Sequence, residues 1–411
     1  MIKNLLISTL VVFATLFSLC QSAIAGGFDN SAFMGMKAAS MGGTFTGIAS
    51  DASASFYNPA GMSFIEYSQI SAGAAFRIGS TSYLSPYSGN SDMTNKFSTN
   101  FHLYGVGKIN EKIAVGLSIN TPFCLRSSWD ENWTGRFIVR ETKLSATYIQ
   151  PSVSYLFGDK FSVAAGPIFA LGKNYHTRAI HYNSSAGELG AELDGNSNGF
   201  GFNIGLFLKA NDNFRAGLNY RSAVNMKVDE GDVSFSNVPS SLVDEFPAST
   251  SFSAEYTMPS VISLGTSFNL VRDLIIGIDI SYTTWSSFDT LEFTFKNEPQ
   301  LDYGNGMFYE NTFAIRLGAE YKVSDKLALR GGIAFDQSPV PDDYLSPANP
   351  DADKFAFSAG GSIMFSEKIT LDVAYMLESM REREVTNSEL QFSGNYKSLS
   401  NIFGLTLNYV F

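Results

Sequence analysis

Acid–base catalysis uses histidine more often than any other side chain. This 411-residue sequence has three histidines, His102, His176 and His181. A hydrolase requires a nucleophilic serine beside a histidine that a third group orients. No strand–turn–helix nucleophile elbow accompanies these histidines, and they share no ligand-like spacing with cysteines. We therefore predict a protein that is not an enzyme and that holds no metal or cofactor, and we keep a lipid hydrolase as an alternative.

A triplet that contains a proline interrupts the stretch DASASFYNPAGMSFIE, residues 51–66. Asn58-Pro59-Ala60 stands between a run of small residues and the first alternating apolar segment. The proline ring fixes φ, and an asparagine side chain can accept a hydrogen bond from a neighbouring amide. The sequence therefore predicts a rigid turn, and the role of that turn depends on the elements around it.

The first 25 residues have the features of a signal peptide. Lys3 precedes an apolar run from Leu5 to Leu19, and Ala23-Ile24-Ala25 forms an A-x-A cleavage site. We predict that the mature chain begins at Gly26. Because the bulky Leu19 precedes Cys20, we expect no lipid anchor.

The composition narrows the class of protein further. With 39 acidic and 28 basic residues, the chain lacks the basic surface of a nucleic-acid-binding protein. Its mean hydropathy is +0.01, and no second apolar run reaches the length of a membrane-spanning helix. Such a chain is either a soluble β protein or a barrel whose strands alternate apolar with polar residues.

Apolar residues recur at every second position along many segments, which is the period of a β-strand. In EKIAVGLSIN, for example, Ile113, Val115, Leu117 and Ile119 share one face, opposite small and polar residues. In FRAGLNYRS the alternation places Leu218 opposite Arg215 and Arg221. A soluble sandwich would alternate in the same way, so the loops must decide which way the apolar face points.

Loop lengths favour a membrane barrel. Six short polar turns each join two strand-like runs, at residues 108–112, 157–160, 210–213, 270–273, 322–326 and 365–368. Long stretches separate these hairpins, at residues 179–198, 229–256, 296–310 and 337–354. With one further strand at each end, this predicts an all-β, 14-stranded antiparallel transmembrane β-barrel over residues 67–411. Short turns on one side and long loops on the other place both termini in the periplasm of a Gram-negative cell.

Residues 26–66 do not fit the strand pattern, and we predict that they form an N-terminal hatch that plugs the barrel. A hatch inside a barrel cannot expose its large apolar side chains to lipid, so we expect them to line an apolar ligand route or to pack the plug against the wall. These side chains are Phe28, Phe33, Met34, Met36, Met41, Phe45 and Phe56.

Several segments, in this order, resemble the long-chain fatty acid transporters of Gram-negative outer membranes and their hydrocarbon-uptake relatives, the FadL/TodX type. Beyond the triplet, they are TPFCLRSSWDENWTGRF, QPSVSYLFGDKFSVAAG, RAGLNYRS, WSSFD and LALRGGIAFDQSPVPDDYLSPANPDADKF. The resemblance implies passive uptake of hydrophobic compounds, with capture near the surface loops and sideways release through a gap made by a kinked strand. Long-chain fatty acids are the expected ligand, and an open porin for polar solutes remains an alternative.

The resemblance also assigns roles to individual residues. It places Asn58-Pro59-Ala60 near the exit gap, and it places Lys173 and Arg178 where basic residues of the family meet a ligand carboxylate. Cys124 stands where a glycine is expected at the end of the third strand, so the sequence does not decide whether that strand is kinked. We expect a monomer whose partners are its ligand and the surrounding outer-membrane lipid.

Overall fold

The computed structural model describes residues 27–85, 89–94, 97–182, 187–296, 298–387 and 390–411. The predicted signal peptide and the predicted mature terminus at Gly26 lie outside these residues. No helix within the described ranges is both long and apolar enough to cross a membrane.

The described part of the chain is built mainly from β-strands. In chain order they are β1 (Gln69–Leu84), β2 (Ser91–Asp92), β3 (Phe97–Lys108), β4 (Ile113–Ser128), β5 (Glu141–Phe157), β6 (Phe161–Tyr182), β7 (Gly187–Lys209), β8 (Phe214–Arg221), β9 (Val224–Ser236), β10 (Ser249–Met258), β11 (Val261–Val271), β12 (Leu274–Thr283), β13 (Thr290–Phe295), β14 (Tyr303–Gly306), β15 (Thr312–Ser324), β16 (Leu327–Asp336), β17 (Lys354–Ser366), β18 (Ile369–Met380), β19 (Arg383–Asn387) and β20 (Phe392–Val410).

Fourteen of these strands close a barrel. They follow one another around the wall as β1, β3 to β8, β11, β12, β15 to β18 and β20, each antiparallel to the next. β20 then pairs with β1 from Gln69↔Val410 to Leu84↔Asn395. Closure leaves none of these fourteen strands as an edge strand of an open sheet. The predicted barrel and its six hairpin turns are confirmed.

The alternation along the strands sorts side chains between lipid and lumen. On β7 the exposed side is apolar and consists of Phe200, Phe202, Ile204, Leu206 and Leu208. Leu218 is likewise exposed on β8, whereas Arg221 is 3% exposed. The apolar face therefore points outward into lipid, as a membrane barrel requires.

The long segments between hairpins contain more regular structure than the sequence indicated. Residues 179–198 belong largely to β6 and β7, and residues 229–256 contain parts of β9 and β10. These strands continue the wall on the extracellular side, where β7, β9, β10, β13 and β14 pair in that order. Their buried faces share an apolar cluster that includes Leu193, Val233 and Phe252, which explains why the chain stays extended there.

The hatch fills the barrel with short helical turns. It contains 3₁₀-helices at Ser31–Phe33 and Pro59–Phe64 and two α-helices, α1 (Met36–Ala39) and α2 (Ala54–Tyr57). Further 3₁₀-helices lie in the extracellular segments, at Trp285–Ser287, Pro299–Leu301 and Asp342–Tyr344. Gly42 has φ +69°, and a Cβ on it would lie 2.9 Å from the carbonyl oxygen of Ile333. The hatch backbone thus touches the wall at a position that requires glycine.

Charged side chains of the wall hold the hatch in place. Asp279 accepts hydrogen bonds from the backbone N–H groups of Phe45 (2.8 Å) and Thr46 (2.7 Å). Lys37 of the hatch forms a 3.5 Å ion pair with Glu320. The lumen-facing charges therefore bind the plug.

A chain of buried ion pairs on the inner wall links β15, β16, β17 and β18 with β1, and passes over β20, which lies between β18 and β1. Arg316 pairs with Asp336 (2.8 Å), Lys354 lies 3.3 Å from Asp336 and 3.5 Å from Glu378, and Arg77 pairs with Glu378 (2.7 Å). Each buried charge thus has an opposite charge beside it, as burial demands.

Candidate ligand-binding site

A cavity of about 430 Å³ lies beneath the extracellular segments and against the N-terminal end of the hatch. Its walls come from β5, β6, β10, β13 and β14 and from the loops near Tyr309 and Ser346. Most of the lining side chains are apolar or aromatic, and the largest are Phe28, Phe137, Phe252, Phe288, Phe293, Tyr303 and Tyr309. A concave, mainly apolar site with few polar groups is typical of a small-molecule site.

An aromatic cluster forms one side of this cavity. Phe28 packs edge-on against Trp285 and Phe288, with ring centroids 4.8 and 5.3 Å away, and Tyr309 packs against Phe288 at 5.3 Å. Trp285 and Phe288 lie three residues apart at a 3₁₀-helix, so both side chains point the same way. The N–H of Gly27 donates to Oδ2 of Asp351 (3.1 Å), which holds the hatch end in the cluster.

Arg178 provides a positive charge inside the cavity. Its guanidinium carbon lies 5.3 Å from the centre of the Tyr303 ring, and both residues line the cavity. Among the described residues, no carboxylate forms an ion pair with Arg178. Lys143, which also lines the cavity, is already paired with Glu141 at 3.1 Å.

Tyr303, on the extracellular strand β14, remains a neutral hydrogen-bond donor. Burial raises the pKa of its phenol, and the nearby Arg178 guanidinium opposes that rise. The phenol therefore keeps its proton at neutral pH. Beside it, burial also raises the pKa of Tyr309, whose hydroxyl accepts a hydrogen bond from Nδ2 of Asn349 (2.7 Å).

The structure separates the two basic residues that were expected to act together. Arg178 lines the cavity, whereas Lys173 is 47% exposed, does not line it, and pairs with Asp194 on the outer surface. The reason is the strand period: five residues apart on β6, the two side chains point to opposite faces. Lys173 is thus removed from the expected carboxylate contact.

The hatch side chains also divide into two groups. Phe28 belongs to the aromatic cluster at the cavity. Phe33, Met34, Met36, Met41, Phe45 and Phe56 are all buried in a second cluster between the hatch and the wall. In this structure, those six pack the plug rather than line the cavity.

Strand β4 is irregular near Cys124, where the sequence did not decide whether the strand is kinked. Its register against β5 shifts between Asn120 and Phe123, and its pairing with β3 ends at His102↔Asn120. Above that point β4 pairs with the hatch: Asn30 N–H donates to the Pro122 carbonyl (2.7 Å). We call the point at which β3 and β4 stop pairing, at His102 and Asn120, the β3–β4 break. β4 therefore carries a β-bulge just before Cys124, the residue that stands in place of the expected glycine.

The Asn58-Pro59-Ala60 triplet is a rigid turn bonded to the wall. Oδ1 of Asn58 accepts from Ala60 N–H (3.2 Å), and its Nδ2 donates to the Leu206 carbonyl of β7 (3.0 Å). The Ala60 carbonyl accepts from Ser162 of β6 (2.6 Å). The predicted cap is confirmed, but the triplet lies against β6 and β7, and these bonds do not reach the β3–β4 break.

The histidines do not form a catalytic arrangement in the described residues. His102 is 1% exposed, and its Nε2 lies 2.8 Å from the Thr406 hydroxyl, under the hatch. Residues 195–199, GNSNG, have the spacing of a nucleophile elbow but lie within β7, and Ser197 is bonded to the Tyr256 hydroxyl (2.8 Å). No group of potential metal ligands occurs among the described residues.

Sequence reasoning missed most of the cavity. Phe288, Tyr303 and Tyr309 of the cavity, and Trp285 of the adjoining aromatic cluster, come from extracellular segments whose sequences show no clear strand period. The signal for two of them was the three-residue spacing of Trp285 and Phe288, which matches a 3₁₀ turn.

A barrel with an internal hatch, a break in the β3–β4 pairing and an apolar cavity under its surface segments defines an outer-membrane transport channel. The chain belongs to the family of outer membrane protein transport proteins (OMPP1/FadL/TodX), whose model matches residues 16–411. The fold class, the family resemblance and the outer-membrane location that the sequence predicted are thereby confirmed.

Similar proteins cover nearly the whole chain. The long-chain fatty acid transport protein of Salmonella typhi is 26% identical over 95% of both chains, and outer membrane protein P1 of Haemophilus influenzae is 25% identical over 94% of this chain and 96% of its own. The crystal structure of a Pseudomonas aeruginosa FadL homologue superposes with a TM-score of 0.81 at 21% identity, covering 96% and 99% of the two chains. The toluene transporter TodX of P. putida gives 0.73 at 15% identity, over 90% and 97%.

Proposed function

We propose that this outer-membrane transporter takes up long-chain fatty acids and holds their carboxylate at Arg178. The observation that supports this ligand is the cation itself, which lies in an apolar cavity with no ion-pair partner among the described residues. Related proteins are named for long-chain fatty acid transport and for toluene transport. A toluene-sized hydrocarbon gains nothing from a positive charge in its binding cavity, whereas a carboxylate does.

The chemistry of the cavity suits an amphiphile with one negative charge. A carboxylate leaves water for an apolar site only if charged hydrogen bonds replace its hydration. Arg178 supplies such bonds, and the neutral phenol of Tyr303 lies beside it. The aromatic cluster around Phe28 provides apolar surface for the hydrocarbon chain.

The proposed route continues sideways through the wall. The hatch occupies the lumen below the cavity, and the β3–β4 break offers an interruption in the wall close to Phe28 and Phe123, whose rings lie 6.2 Å apart. Movement along this route is passive, and the closed barrel acts as a monomer. An open porin would instead need a continuous aqueous lumen, which the packed hatch opposes.

Ligand binding and uptake by purified protein in proteoliposomes test this proposal. Arg178→Gln should weaken oleate binding about tenfold or more, because it removes a charged hydrogen bond, and should leave hexadecane uptake unchanged. Lys173→Gln is the matched control, since it removes a cation of the same strand that points outward. Equal oleate affinity in Arg178→Gln and wild type would overturn the carboxylate assignment. Rapid swelling of the vesicles in sugars would support the porin.

A further inference from the structure

Two buried hydrogen-bond donors lack a partner at one junction inside the barrel. They are Nε of Arg221, at the end of β8, and the hydroxyl of Tyr148 on β5. The two side chains are 3% and 1% exposed, and neither atom has a hydrogen-bond partner among the described residues. An unpartnered buried donor is unfavourable, so two of them together require an explanation.

Tyr148 lies between the cavity and the β3–β4 break. It is the direct partner of Asn120 across β4 and β5, and Asn120 is the residue of β4 at which pairing with β3 ends. On its other side, the Tyr148 ring packs against Phe123 at 5.9 Å, and Phe123 packs against Phe28 of the cavity at 6.2 Å. The Tyr148 side chain therefore lies between the aromatic cluster at the cavity and the break.

Arg221 brings a positive charge to the same place. Both residues lie against α2 of the hatch: Nε2 of Gln150, two residues beyond Tyr148 on the same face of β5, donates to the Ser55 carbonyl (2.8 Å), and Arg221 contacts the next residue, Phe56. Nη2 donates to the Phe56 carbonyl (3.0 Å), and the guanidinium lies 4.1 Å from the centre of the Phe56 ring. No carboxylate of the described residues forms an ion pair with it, in contrast to Arg316 and its partner in the inner wall.

We propose that Arg221 and Tyr148 form a second binding site for the ligand carboxylate, between Arg178 and the β3–β4 break. The inference rests on the proposed function, in which the ligand is a long-chain monocarboxylate. A carboxylate that leaves Arg178 must otherwise cross an interior that offers it no charged partner. Arg221 supplies the charge and a free N–H, and Tyr148 supplies an O–H donor, which together replace the lost contact.

Tyr148→Phe is the sharpest test, because it removes a hydroxyl that holds no other group and keeps the ring. Uptake of radiolabelled oleate into proteoliposomes should slow about tenfold, uptake of hexadecane should stay unchanged, and equilibrium oleate binding at the cavity should be retained. Tyr396→Phe is the matched control, since its hydroxyl is also buried and unpartnered, while the arginine opposite it on β19, Arg383, is already paired with Asp342. Arg221→Gln should act as Tyr148→Phe does, and Arg221→Lys should keep part of the rate.

The outcomes separate this site from the proposed function. If Tyr148→Phe and Arg221→Gln take up oleate as fast as wild type while Arg178→Gln still binds it weakly, the second site is wrong and the function stands. Equal slowing of oleate and hexadecane by Tyr148→Phe would show that the hydroxyl only shapes the wall. A wild-type protein that takes up hexadecane but not oleate would overturn the function and the second site together.

Discussion

Gly27 packs against the indole of Trp285 so closely that no Cβ fits between them. A Cβ on Gly27 would lie 2.6 Å from Cε2 of Trp285 and 2.9 Å from Cγ of Pro339, and the residue has φ +65°. The end of the hatch thus reaches the aromatic cluster beside the cavity as bare backbone, and the position of the indole depends on that backbone.

Gly27→Ala should therefore displace the indole and weaken oleate binding. Overpacking and the left-handed backbone together cost about 1–3 kcal/mol, enough to lower affinity by roughly tenfold while the barrel folds normally. Tryptophan fluorescence titration measures the affinity, and heat-modifiable migration on gels reports folding. Gly105→Ala is the control, because a Cβ there meets no atom within 4 Å. Equal affinities in both variants would contradict the role of Gly27.

Leu218→Arg should destabilise the barrel, because Leu218 is 39% exposed on the lipid face of β8. A cation on that face costs about 2–4 kcal/mol near the bilayer midplane. Urea unfolding in lipid vesicles gives the free energy of unfolding, with Leu218→Phe as the apolar control. Equal stabilities of the two variants would place this side chain away from lipid.

Asn58→Ala should loosen the hatch without preventing barrel assembly. It removes hydrogen bonds to Ala60 N–H and to the carbonyls of Leu206 and Thr46 (3.3 Å), while the strands of the wall keep their own pairing. We expect faster vesicle swelling in small sugars. Pro59→Ala retains these bonds and frees only φ, so vesicles with this variant should swell more slowly than vesicles with Asn58→Ala. If Asn58→Ala vesicles swell no faster than wild type, the side-chain bonds do not secure the plug.

Glu188 should make the extracellular segment 129–140 sensitive to acid. It accepts hydrogen bonds from Nε of Arg136 (2.8 Å) and Nη2 of Arg140 (3.0 Å), and the bond from Arg136 holds its pKa below the usual 4.5. A depressed carboxylate pKa gives stability that is present above pH 4.5 and is lost as the pH falls through the lower, folded value.

Hydrogen exchange of segment 129–140, corrected for intrinsic rates, measures this effect. Wild-type protection should fall as the pH is lowered progressively below 4.5, and Glu188→Gln should be poorly protected throughout the same range. The change is modest, because the pair is partly solvated. Glu131→Gln, which removes an exposed charge of the same segment, should behave as wild type. Protection that is independent of pH in wild type would exclude Glu188 as the group responsible.

The barrel could be predicted from the sequence because its signals are local. Period-two alternation and short turns such as 157–160 and 270–273 each depend on a few neighbouring residues. The face of each side chain follows from the same period, and applying it to Lys173 and Arg178 would have separated them without a structure. The hatch was predictable only as the segment that failed to alternate.

The cavity could not be predicted, because its members meet only after the barrel closes. Phe28, Arg178, Phe288 and Tyr303 come from four separate segments, and no spacing in the sequence relates them. The extracellular strands β9 and β10 were hidden for another reason. Their outward residues are acidic or polar, so the segment reads as a solvated loop although Val228 and Phe252 alternate on its buried side.

The two longest strands extend beyond the membrane, and their length determines that the ligand is collected from water and released into lipid. β6 has 22 residues and β7 has 23, whereas a tilted strand crosses a bilayer with about 9–11. Roughly half of each therefore stands in the aqueous layer, and Arg178 lies near the outer end of β6. On the proposed route a fatty acid is collected from water and delivered into hydrocarbon, so its own partition coefficient supplies the driving force and the protein needs no energy source.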